Sequence, residues 1–140
     1  MNNIYSQLIL DHNKSKHNKR ELDQPLYVER GHNPNCGDDL TLQVNVKDGI
    51  VVEAAYIGHG CAISQASMSI MIDLVKGRPT EEAKTLAMSF FKMVQGQEVS
   101  EEEKEALEDA IAFEGLHLMP ARAKCGTLGW HCLDEILTKS

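Results

Sequence analysis

The 140-residue sequence predicts an α+β fold, a small three-stranded antiparallel sheet packed against several helices, and three observations predict it. Two stretches between Leu40 and Ile57 alternate apolar and polar residues on either side of a Lys47-Asp48-Gly49 turn, the pattern of a half-buried hairpin. From Cys61 onward the apolar residues recur instead every three or four positions, the period of an amphipathic helix. Gly77, Pro79, Gly96, Ser100 and Pro120 divide that second half into several helical pieces. Strands followed by a run of helices is the α+β order.

The elements follow in sequence. Asn3 to His12 carries Ile4, Leu8 and Ile9 or Leu10 at helical spacing, and the polar, basic stretch HNKSKHNKRELDQP after it reads as a solvated loop. Tyr27 to His32 is a weak third strand, ahead of the strands Leu40 to Val46 and Ile50 to Ile57. The next helix starts at Cys61 with a stripe of Ile63, Ser67, Ile70 and Leu74, and stops at Gly77. Thr80 is expected to cap a further helix with Ala83, Leu86, Phe90 and Val94 on its inner face, and Glu81 and Glu82 suit its positive end. Ser100 and Glu103 form a capping box that opens a helix through about Phe113. Pro120 opens the last helix, where Ala121, Cys125, Leu128, Cys132 and Ile136 step by threes and fours. No Pro/Gly/Ser linker or internal repeat divides the chain, so residues 1–140 are expected to form a single domain.

Composition narrows the function. Lys and Arg number 14 against 21 Asp and Glu, a net charge of −7, and an acidic chain is a poor nucleic-acid binder because phosphate neutralisation needs a basic face. No apolar window of about 18 residues suggests a membrane span, and the N-terminus lacks the basic start and small-residue cleavage site of a signal peptide. A cytoplasmic location is therefore expected. In such a reducing compartment, four cysteines (Cys36, Cys61, Cys125 and Cys132) point to metal binding, catalysis or packing rather than disulfides.

Three of them fall where one element gives way to another. Cys36 sits in the Pro34-Asn35-Cys36-Gly37-Asp38 loop, Cys61 in Gly58-His59-Gly60-Cys61 before a helix, and Cys125 in the first turns of the last helix. A hairpin returns the chain to the end where it began, so Cys36 and Cys61 should share one end of the sheet. Loop and helix-start positions are expected to expose these thiols, and helix N-termini favour the thiolate, which is both the metal ligand and the nucleophile. Asp38 is the expected fourth ligand, since Gly37 lets the loop turn so that both side chains face one ion. Three thiolates and a carboxylate suit tetrahedral zinc. They also leave an excess of negative charge, which Arg122 and Lys124 flank Cys125 to offset. The mixed set speaks for a site whose ligands exchange rather than for a closed structural knot. His32 and His59 stand as alternative ligands to Asp38. Buried packing is the commoner role of an isolated cysteine; it suits Cys132, which shares a stripe with Leu128 and Ile136. Met68, Met71, Met88 and Met93 read as core filler, and Glu101 to Glu105 as a solvated helix start.

With NPNCGDDL (Asn33 to Leu40), GHGCAISQAS (Gly58 to Ser67) and PARAKCGTLGW (Pro120 to Trp130) in this order, the chain resembles the SufU branch of the NifU-N/IscU-like iron–sulfur cluster assembly superfamily, from about Ile4 to the C-terminus. Two departures from the IscU-like scaffolds match that branch: Lys124 stands where those carry a His, and the stretch between Cys61 and Cys125 is longer, around Gly77 to Gly96. The resemblance implies a SufE/NifU-like fold. It further implies a zinc-dependent sulfurtransferase in which Cys36, Asp38, Cys61 and Cys125 bind Zn2+. Cys36 would accept persulfide sulfur from a SufS-type cysteine desulfurase, and Arg122 would assist. Iron ion binding and downstream iron–sulfur assembly proteins as partners come with the same resemblance.

The chemistry expected is attack of a thiolate on the outer sulfur of the partner's persulfide, akin to thiol–disulfide exchange. Zinc ligand exchange, with a partner His replacing Cys36, would free that thiolate, and Arg122 would hold the released anion. Two other classes remain open: a scaffold on which a transient [2Fe–2S] cluster is assembled and transferred, since thiolates bind such clusters too, and a non-enzymatic zinc-binding interaction domain. The role of His131 and self-association are also open, with a monomer as the working expectation.

Overall fold

The computed structural model describes residues 3–140. Helix α1 (Asn3–Ser15) precedes strands β1 (Tyr27–Asn33), β2 (Asp38–Lys47) and β3 (Ile50–His59). Helices α2 (Ala62–Val75), α3 (Thr80–Val94) and α4 (Glu101–Leu107), a 3-10 segment (Glu108–Leu118) and the long helix α5 (Pro120–Lys139) follow. The three strands form one antiparallel sheet in the order β1-β2-β3, as the alternating pattern requires. Its inner face, with Leu40, Leu42, Val44, Val51, Ala54 and Tyr56, is buried with residues of α2 and α5 in one hydrophobic cluster. No helix among the described residues is long and apolar enough to cross a membrane.

α2 is buried almost all round, because it has α1 on one side, β3 on another and α5 against it. Glycines let α5 come close to its neighbours: a Cβ on Gly129 would meet Met68 of α2 at 2.8 Å, and one on Gly126 would run into Leu116 of the 3-10 segment. The Ser67 hydroxyl ties α2 and α5 further, donating to the Gly126 carbonyl (2.6 Å) and accepting from the Trp130 indole N–H (3.2 Å). Trp130 stacks on Phe90 at 4.2 Å, which brings α3 into the same core.

Several local expectations are corrected. Pro79, not Thr80, is the N-cap of α3, and no side chain caps that helix. Backbone bonds hold the junction instead: the Thr80 N–H donates to the Gly49 carbonyl at 2.8 Å, and Pro79 bridges to Ile50. The capping box of Ser100 and Glu103 is present, but α4 ends at Leu107 and gives way to the 3-10 segment at Glu108, whose φ of +48° no α-helix accommodates. α1 runs on to Ser15, with Ile9 buried, Leu10 exposed and the Ile4 side chain outside the described residues. The stretch after it is anchored rather than solvated throughout. Asn18 is buried and donates to the Ser69 carbonyl (2.8 Å) and to Asp73 (3.1 Å), and residues 18–20 pair with Tyr56 along the free edge of β3. Met68, Met71 and Met93 fill the core as expected, whereas Met88 is exposed on the outer side of α3.

Candidate metal centre

Three chain segments meet at one end of the sheet. The β1–β2 connection carries Cys36 there, turning through Gly37, whose φ of +70° is the left-handed conformation that a residue without a Cβ adopts at no steric cost. Asp38 follows as the first residue of β2, pointing inward and fully buried. The β3–α2 junction brings Cys61, and the second turn of α5 brings Cys125. Ligand atoms of Cys36, Asp38 and Cys125 all lie within 4.8 Å of one another, so this trio can hold a metal ion. The Cys36 and Cys125 sulfurs are 2.9 Å apart, longer than the ~2.05 Å of a disulfide bond. All four cysteines are free thiols.

The Cys61 sulfur is not among these mutually close ligand atoms; the residue is tied to the trio through Asp38. Its backbone N–H donates to Asp38 Oδ1 at 2.8 Å. Its side chain is the N-cap of α2, the sulfur accepting from the Ser64 N–H at 3.4 Å. The Ser64 hydroxyl lies 3.1 Å from Asp38 Oδ1 as well. Asp38 Oδ1 is thus doubly bonded to donors, while Asp38 Oδ2 is buried and has no hydrogen-bond partner. A buried carboxylate oxygen without a partner is costly. A cation among the sulfurs would supply what it lacks, so the residues present fit a thiolate–carboxylate zinc site.

The expectation that all three thiols would be exposed is corrected. Cys36 is exposed, Cys61 is half-buried and Cys125 is buried beneath the Cys36 loop, because α5 presses that turn against β1. Burial pushes the Cys125 thiol well above its ordinary value, and its hydrogen bond to Cys36 and its closeness to Cys61 and Asp38 push the same way. Asn33, buried at the end of β1, points its amide toward the Cys125 sulfur at 3.9 Å.

His32 and His59 are not brought to this cluster. They pair laterally with Asp39 across the three strands, and Asp39, next to Asp38 in the strand, faces the opposite side of the sheet. Arg30 grips Asp39 there through two bonds of 2.8 and 2.7 Å, holding its carboxyl below the usual carboxylate range. Arg122 and Lys124 are both exposed. Arg122 lies three residues before Cys125, on the same face of α5, whereas Lys124 is turned about 100° away from it. Cys132 is the packing residue the stripe predicts, buried against Gly31 and Leu128. His131 stacks on Phe91 with ring centroids 4.6 Å apart, a contact between α5 and α3.

Ser64 is the functional candidate that the cysteine spacing does not reveal. It is one of three buried serines of α2, and only the approach of Asp38, the first residue of β2, gives its hydroxyl a carboxylate to bind.

Residues 4–125 match the model of the NifU-like N-terminal domain. The chain belongs to that family. It is 37% identical to the zinc-dependent sulfurtransferase SufU of Bacillus subtilis (strain 168) over 139 residues, 99% of this chain and 92% of the relative. It is also 40% identical to the iron–sulfur cluster assembly scaffold protein IscU of Streptococcus pyogenes serotype M1, over all of this chain and 86% of that one. Among solved structures, a SufU from Fervidobacterium islandicum AW-1, described as a candidate scaffold for the SUF system, superposes with a TM-score of 0.88. It shares 34% identity, with 96% of each chain covered. Full-length likeness to SufU proteins supports the SufU branch within the family. The Streptococcus and Fervidobacterium relatives are named iron–sulfur cluster assembly scaffold proteins, and the Fervidobacterium structure shares the fold of this chain.

Proposed function

We propose that the chain is a zinc-dependent sulfurtransferase of iron–sulfur cluster assembly, which accepts persulfide sulfur on Cys36 from a cysteine desulfurase. One observation carries the reading: the unpartnered Asp38 Oδ2 is buried among thiols of which Cys36 alone is exposed. Cys36, Asp38, Cys61 and Cys125 would hold the ion. Bound zinc would supply deprotonated, oxidation-protected thiolates at neutral pH.

The chain's residues support the transfer as follows. The exposed Cys36, on a loop that turns through Gly37, is the sulfur that can meet a persulfide carried by another protein, whereas Cys125 is fixed under that loop. Its thiolate attacks the outer sulfur of the donor persulfide. The donor's S–S bond breaks, the electron pair leaves with the donor's thiolate, and a new S–S bond forms on Cys36. Arg122, on the Cys125 face of α5, would hold the anionic sulfur through its guanidinium. The cytoplasm, where thiols stay reduced, suits this chemistry.

Metal analysis of the purified protein, run beside desulfurase turnover with and without the chain, tests the reading. About one zinc per chain and a faster desulfurase support it. The Cys36→Ser variant should keep the fold yet gain no sulfur atom when intact mass is measured after incubation with desulfurase and cysteine. A variant that still gains sulfur would move the acceptor elsewhere. The scaffold named for the Streptococcus relative is the second reading, favoured by that 40% identity and by a thiol set that also suits a [2Fe–2S] cluster. Anaerobic reconstitution decides between them. A stoichiometric cluster that survives desalting and passes to an acceptor would favour the scaffold.

A further inference from the structure

We infer that Ser64 is a positioning residue for the metal: together with the Cys61 N–H it holds one oxygen of Asp38, so that the other oxygen alone is presented as a ligand. The inference rests on the metal reading of the site and goes beyond it, because Ser64 itself would touch no metal.

Three observations support it. Ser64 is fully buried at the third position of α2, where the cap residue Cys61 takes its backbone N–H at 3.4 Å. Its hydroxyl lies 3.1 Å from both Asp38 Oδ1 and the Cys61 carbonyl. One hydroxyl has one proton to donate, and a carboxylate oxygen is the stronger acceptor. Ser64 therefore touches two of the four candidate ligands, the Cys61 sulfur through its N–H and the Asp38 carboxylate through its Oγ. The consequence for Asp38 is asymmetric: Oδ1 has two donors and Oδ2 has none.

That asymmetry limits how the carboxylate can bind. A carboxylate free to turn can chelate an ion through both oxygens, which raises the coordination number and favours harder cations. With Oδ1 engaged by Ser64 and Cys61, Asp38 offers one oxygen, and three sulfurs plus one oxygen make the four-coordinate set that zinc prefers. Gly60 is the other half of the device. A Cβ there would stand 2.6 Å from Ser64 Oγ and 2.9 Å from Asp38 Oδ1, so a side chain would wedge the two apart.

Ser64→Ala and Gly60→Ala strike the same contact from opposite sides. Each is compared with the unaltered protein in three measurements: zinc affinity by competition with a chromophoric chelator, the visible spectrum after loading with Co2+ alone, and the melting temperature without metal. Loss of a residue that orients a ligand should weaken zinc about 10–100-fold. The intense tetrahedral Co2+ bands should weaken as the coordination number rises, while the metal-free melting temperature of Ser64→Ala stays near that of the unaltered protein. Unchanged affinity and Co2+ spectrum in Ser64→Ala would overturn the inference and leave the metal reading intact. So would a loss of affinity wholly matched by instability of the metal-free fold, because Ser64 would then serve the fold rather than the ligand. An unaltered protein that takes up neither zinc nor cobalt would overturn the metal reading and the inference together.

Discussion

Cys125 and Cys132 stand two turns apart on α5, each 3% exposed, and burial raises the pKa of both thiols. Their surroundings differ completely. Cys125 lies against a second thiol, a third cysteine and a buried carboxylate, with an asparagine amide aimed at its sulfur. Cys132 lies against the backbone of Gly31 and the side chain of Leu128, and Glu29 and Glu135 are the charges that bear on it. Burial alone therefore does not separate a ligand from a packing residue. What separates them is whether the neighbours are groups that need a cation.

Replacing each by serine should break the two apart, and this is the largest effect expected. Cys125→Ser should abolish stoichiometric zinc, a loss beyond the roughly 10–100-fold of an orienting neighbour, since it removes a proposed ligand outright. Cys132→Ser should keep about one zinc per chain and lose ~1–3 kcal/mol of stability, because it places a hydroxyl in an apolar pocket. Metal analysis and urea unfolding read the two quantities separately. Zinc loss from Cys132→Ser with zinc retained by Cys125→Ser would reverse the assignment.

Metal removal is next in size. The core joins the sheet, α2, α3 and α5 through Trp130, Phe90, Leu42 and Met68, none of which depends on the site. A chelator should therefore lower the melting temperature, by the equivalent of about 4 kcal/mol if zinc is present at 1,000 times its dissociation constant, and leave the helical circular dichroism in place. Complete unfolding would instead favour a zinc that only stabilises the fold. Gly31→Ala tests the Cys132 side. Its Cβ would meet the Cys132 sulfur at 2.7 Å and Leu128 at 3.1 Å, an overpacking that costs ~1–3 kcal/mol, with zinc content unchanged.

Most of this comparison could be read in the sequence, for reasons that particular residues show. Alternation along Leu40 to Val46 fixes which side of β2 is buried, and so puts Asp38 and Asp39 on opposite faces. Gly37 marks a left-handed turn, and the step from Leu128 to Cys132 to Ile136 marks a packing stripe. The hidden part depends on tertiary approach. Nothing local distinguishes Ser64 from Ser67, though one binds Asp38 and the other binds Trp130 and Gly126. Cys125 falls on the same stripe as Cys132, so periodicity does point to its burial; what it does not encode is that the Cys36 loop lies over it. The end of α4 at Leu107 is equally silent, since no Gly or Pro marks the positive φ that Glu108 adopts.

The smallest effect concerns alkaline pH and isolates the Cys132 pocket. Its thiol is pushed up to about 12, first by burial and then by Glu29, whereas in the unfolded chain it titrates near the ordinary thiol value of about 8.5. A pKa raised on folding means that the folded state holds the proton longer. The contribution is complete below the unfolded pKa and falls as pH rises toward the folded one. Between pH 8 and 10.5 the unaltered protein should therefore lose stability faster than Cys132→Ala, which has no thiol to titrate there. Urea unfolding of the two at half-unit pH steps reads the difference in slope. Cys125 would contribute in the same direction in the metal-free protein, but it is present in both chains and cancels. Parallel slopes for the two proteins would mean that the pocket admits water and that the dry side of α5 is wetter than its packing against Gly31 indicates.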